Sequence, residues 1–218
     1  MRRVKGLANG LRSGPWSENK LTNQAEYSPY DTEIYRITKE SEKLLDKEER
    51  ILYRTYKPHP EAFHPANQEQ IRKVIKNIPS HYLTGLKGIF LCSGSKKQLN
   101  CNEFRFASYN DFYKVIYLFP FPKKMCLHYK NKPKPSICIE YERHGTRWIE
   151  ENNGWVLKFD KKSIQSFYLK DVLFHELGHH VENQFHDIKH KSDKQRERFA
   201  EWFAIEYGLK SQIKWLEE

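Results

Sequence analysis

Five consecutive residues have the types and spacing to do chemistry: His175-Glu176-Leu177-Gly178-His179. On a helix, residues four apart share a face about 6 Å apart along the axis, so the two imidazoles can bind one Zn²⁺ from the same side. Glu176 falls one position round from His175, beside such a metal, where a carboxylate accepts a proton from metal-bound water. The chemistry this predicts is metal-assisted hydrolysis with Glu176 as general base. A His- and Glu-rich surface helix would carry the same letters, but the surroundings argue for a helix seated in a core. Leu169, Val172, Leu173, Leu177, Val181 and Phe185 recur at helical spacings over residues 168 to 185, and Phe174 widens the stripe. Gly178 costs such a helix about 1 kcal/mol against Ala. It leaves space for another backbone to come close.

A catalytic zinc takes a third protein ligand and keeps one position open. Glu197-Arg-Phe-Ala-Glu201-Trp-Phe-Ala204 lies in a second helical pattern from about Lys194 to Leu209, where Glu197, Ala200, Glu201, Ala204 and Gly208 form one stripe. Small residues bracketing two carboxylates allow a close approach to the first helix. On spacing alone, either Glu197 or Glu201 can reach the metal. His180, His186 and His190 are spare candidates, for which simple solvation is the plainer reading.

Taken together, the HELGH stretch and the Glu197-x-x-Ala200-Glu201-x-x-Ala204 stretch resemble the gluzincin metallopeptidases, closest to the small ImmA/IrrE-like members, over about residues 165 to 210. The resemblance implies one Zn²⁺ per chain held by His175, His179 and Glu197. Glu201, where many relatives carry Asp or Asn, would then support a ligand histidine. An exchange of roles between Glu197 and Glu201 is the alternative. The metzincin pattern HExxHxxGxxH does not fit, because its glycine and third histidine would fall on Glu182 and Phe185. The expected activity is peptide-bond hydrolysis, with Glu176 passing the proton on to the leaving amine, and with Tyr207, Tyr168 or His186 as a donor to the oxyanion. Two other readings stand beside it: a nucleic-acid-associated metalloprotein acting on DNA- or RNA-bound proteins, and a non-catalytic zinc-binding regulatory domain.

Stepping outward to the elements that must position these groups, the 218 residues suit a flexible basic arm over residues 1 to 30 and a single domain over 31 to 218. The expected fold class is α+β: N-terminal helices, a small, mostly antiparallel sheet, an active-site helix and a C-terminal glutamate helix. Helices are predicted from Thr32 to about Tyr56 (one or two) and from Gln68 to Ile78, and strands at Leu86 to Cys92, Asp111 to Phe119 and Ser136 to Tyr141. An exposed Pro- and Lys-rich loop is expected between the last two. Asn153-Gly154 predicts the turn of a hairpin over Trp148 to Phe159. A strand near the site could hold an extended peptide by backbone pairing, and which strand does so stays open.

Cys92, Cys101, Cys126 and Cys138 lack zinc-finger or C-x-x-C spacing and read as buried or partly buried thiols. Apolar runs fall far short of the roughly 20 residues of a membrane helix, and no apolar stretch follows the basic start, so a cytoplasmic protein without membrane contact is expected. The formal charge of +10 favours weak binding to nucleic acid or acidic surfaces besides a protein or peptide substrate.

Overall fold

The computed structural model describes residues 28–47, 50–100, 104–185 and 192–210, and most of the basic arm, Cys101, His186 and His190 lie outside them. The architecture is mixed α and β, as expected from the sequence. Helix α1 (Pro29–Lys47) is followed by β1 (Leu52–Thr55), β2 (Ala62–Phe63), α2 (Gln68–Ile75), β3 (Gly88–Leu91), α3 (Lys96–Leu99), β4 (Ala107–Asn110) and β5 (Val115–Leu118). Then come β6 (Phe121–Pro122), β7 (Cys126–Tyr129), α4 (Pro135–Glu142), β8 (Arg147–Glu151), β9 (Gly154–Lys158), α5 (Lys161–Phe167), α6 (Leu173–Gln184) and α7 (Asp193–Phe203).

The central sheet runs β1-β3-β5-β4, with β1, β3 and β5 parallel and β4 antiparallel at the edge. A β2–β6 pair and an antiparallel sheet β7-β9-β8 complete the strands, so antiparallel pairings outnumber parallel ones while the central sheet is mixed. β3 and β5 are apolar without alternation because both sheet faces are covered. Phe90, Val115, Tyr117 and Phe119 pack against Tyr30, Ile34, Ile37 and Leu45 of α1. Ile89, Leu91, Ile116 and Leu118 face the larger core with Leu173, Leu177 and Val181 of α6. The histidine-bearing helix is thus clamped to the sheet by its own leucines.

Three expectations are corrected. Ile51 and Leu52 do not extend a helix: Leu52–Thr55 is a strand paired with Gly88–Leu91, where Tyr and Thr suit a pleated surface. Ser136 to Tyr141 is helix, not strand, because Pro135 sits at the helix start with its fixed φ. The expected loop around the prolines contains β6 and β7. The hairpin forms as predicted, with Gly154 at φ +139 lying against the backbone of Tyr129, where a Cβ would collide. No described helix is long and apolar enough to cross a membrane.

Candidate metal centre

The helix that carries His175 starts at Asp160, whose carboxylate caps Ser163 N–H at 2.7 Å. It runs through α5, widens into a π-helical turn at Tyr168–Val172, and continues as α6. Helix α7, capped by Ser192, likewise ends in a π-helical turn at Ala204–Lys210. π turns recur at functional sites, and here the two pack against each other. Gly208 makes that packing feasible: a Cβ there would fall inside the Lys170 carbonyl oxygen. Gly178 does the same for the helix crossing, since its Cβ would stand 2.7 Å from Ala200 Cα. The stripe of small residues therefore brings the two helices into backbone contact. Buried Glu182 and Arg196 join them by an ion pair of 2.9 Å.

That approach gathers His175, His179 and Glu197. The two Nε2 atoms lie 3.2 Å apart, and the Glu197 carboxylate oxygens lie 3.4 Å from His175 Nε2 and 3.7 Å from His179 Nε2. Ligands at about 2.0–2.1 Å from a tetrahedral ion are themselves about 3.3 Å apart. One donor atom from each of the three residues lies within 4.8 Å of the other two, and their imidazole and carboxylate chemistry suits a divalent ion. The group can hold a metal ion.

Electrostatics point the same way. Burial pulls the His175 imidazole down, yet Glu197, Glu176 and Asp171 outweigh it and hold its pKa up at about 9. The pocket attracts positive charge. Burial pushes the Glu176 carboxyl up to about 7, against the pull of His175 and of a hydrogen bond from the Tyr109 N–H. Phe119 N–H donates to the Phe106 carbonyl, so alternation along the antiparallel pair turns the backbone groups of Ala107 and Tyr109 away from β5. One outward N–H of the edge strand β4 therefore already reaches Glu176.

Other candidates fall elsewhere. Glu201 is outside the ligand group; burial, with Glu197 and Asp171 near, raises its pKa. Tyr207 donates its hydroxyl to that of Tyr82 at 3.2 Å within an aromatic cluster with Phe203. The Tyr168 hydroxyl donates to the Phe119 carbonyl at 2.8 Å, deep in the core. His180 is fully buried, its Nε2–H donating to the Thr84 carbonyl (3.1 Å) and its Nδ1 accepting from the Tyr109 hydroxyl (3.0 Å). Burial lowers its pKa to about 4, so it stays neutral and ties α6 to β4.

Sequence reasoning missed a supporting group. Asp171 accepts hydrogen bonds from Arg143 and from His144 Nε2, whose Nδ1 meets Ser166 Oγ at 3.0 Å. Its place four residues before His175 was a usable signal, but Arg143 and His144 come from α4 and the turn after it, which no local pattern links to α6. Glu140 of α4 also borders the pocket, and burial together with Glu201 and Asp171 raises its pKa to about 7. Comparisons of the chain with models of known families, with curated proteins and with solved structures return no match.

Proposed function

We propose that the chain is a zinc-dependent metallopeptidase of gluzincin, zincin-like type. The observation that supports this is the gathering of His175, His179 and Glu197 within reach of one ion, with a buried proton acceptor, Glu176, on the helix of the two histidines. His175, His179 and Glu197 would hold the ion. Zinc there supplies Lewis-acid polarisation of a scissile carbonyl and makes water acidic near neutral pH. Glu176 takes the proton from the attacking water on its carboxylate and delivers it to the leaving amine. Burial raises its affinity for that proton, and the Tyr109 N–H fixes its orientation. A carboxylate beside the ligands has no such part to play in a closed structural site, which would also ask for a fourth protein ligand. The outward backbone groups of Ala107 and the Tyr109 carbonyl offer an extended peptide a strand edge to pair with next to Glu176.

The test is a pair of measurements on purified protein. Glu176→Gln is expected to keep its zinc and lose hydrolysis of unfolded casein, and wild-type turnover in that variant would refute the proposal. Zinc content falls in Glu197→Ala and persists in Glu201→Ala; the opposite result reassigns the third ligand.

A further inference from the structure

The β7-β9-β8 sheet carries a feature that hydrolysis does not use. Leu127 and Leu157 face the core with Trp148 packed beside them, so strand alternation turns Cys126, Lys158 and Arg147 to the outer face. The register sets Lys158 directly opposite Arg147 on one side and Cys126 on the other. Like charges directly opposite across strands are destabilising. Lys123 and Lys124 stand in the turn before β7, and Lys161 and Lys162 open α5 just after β9, all of them exposed. The backbone joins these segments at one end of the sheet, since Phe159 N–H donates to the Met125 carbonyl at 2.9 Å. None of the six cations makes an ion pair among the described residues. Asp160, the acid between them, caps Ser163 and feels the charge of Lys162 alone among the six.

From this array we infer that the outer end of the sheet, centred on Lys124, Arg147 and Lys158, is a binding surface for the phosphate backbone of duplex nucleic acid. Cations left opposed and unpaired are compensated by a polyanion that reaches all of them at once. A protein partner would ask for an apolar centre with aromatic anchors. On this sheet the one large apolar side chain that stands exposed is Ile149. The surface is separate from the metal centre, and the inference stands or falls independently of the peptidase proposal.

The experiment is fluorescence anisotropy of a labelled duplex of about 20 base pairs with the full chain, between about 50 and 200 mM salt. Binding should weaken with salt at a slope of about 0.9 per phosphate contact. Lys124→Ala/Arg147→Ala/Lys158→Ala should reduce that slope by about 2.7 and weaken binding at low salt at least about tenfold. The control, Lys43→Ala/Lys47→Ala/Lys73→Ala, removes the same charge from α1 and α2 and should bind as wild type. Absence of binding at low salt, equal losses in both variants, or preference for polyglutamate over the duplex would each overturn the inference.

Discussion

On the α1 face of the central sheet, the buried carboxylate of Glu33 sits among donors. It accepts from the Ser93 hydroxyl at 2.6 Å, the Gly94 N–H at 2.9 Å and the Gln98 amide at 2.8 Å. On the α6 face, Glu176, Glu197 and Asp171 crowd round His175, and the imidazole is held charged by them. One acid is fully solvated by protein and fastens α1 to the loop after β3. On the other face Glu176 has Glu197 as an acidic neighbour and its pKa is raised, and Glu197 joins His175 and His179 in a group that can hold a metal ion. Burial alone does not mark a functional acid; the balance of donors against neighbouring acids does.

This contrast can be broken in graded steps. The largest effect is expected for Asp171→Asn, which takes the charged acceptor from Arg143 and buried His144 and should cost about 2–3 kcal/mol at neutral pH. The Asp171 carboxyl is desolvated, yet His144 and Arg143 outweigh that and lower its pKa. Its contribution is therefore complete above the unfolded value of about 3.9 and fades as pH falls through the lower folded value. Denaturant midpoints of the two proteins should converge in acid, and a constant gap would contradict the assignment. Next comes Gly178→Ala. Ala in place of Gly inside a helix normally stabilises by about 1 kcal/mol. Here the added Cβ meets the Ala200 backbone, so a loss of about 1–3 kcal/mol is expected, with weaker metal retention. A stabilised variant would mean that the helices are not in backbone contact.

Smaller effects sharpen the comparison. Glu33→Gln turns a matched acceptor into a mixed donor and acceptor, lowering stability by about 1–2 kcal/mol while metal content stays unchanged. Glu201→Gln does the reverse. It relieves repulsion with Glu140 and Glu197, so the metal-free protein should gain up to about 1 kcal/mol and still take up metal. Thermal melts with and without a chelator separate the two. A Glu201→Gln protein that loses its metal would place that carboxylate among the ligands.

The gathering of His175, His179 and Glu197 was legible because they lie on two periodic helices, where spacing fixes the face. Gly178 and Ala200 were legible for the same reason. The support from Arg143, His144 and Tyr109 was not, since each arrives from a segment distant in sequence and only packing joins them. The strand reading of residues 136 to 141 failed because Ile, Cys and Tyr suit either period, and Pro135 decided the matter. β4 escaped notice since Ala107-Ser108-Tyr109-Asn110 alternates over only four residues, too short a run to stand out. Its turn comes from Asn110, whose side-chain Oδ1 accepts from the Phe112 and Tyr113 N–H groups.

The wide turn at Tyr168–Val172 puts the ligand helix one residue out of phase with the segment that roots it in the core through Ile164 and Phe167. Were those same residues to tighten to regular pitch with none removed, everything downstream would swing by about 100°. Both imidazoles would then sweep off the carboxylate on the opposing rod while the hydrophobic root stayed put. The extra residue absorbed in that turn, in a stretch that supplies none of the three donors, thus governs whether they meet.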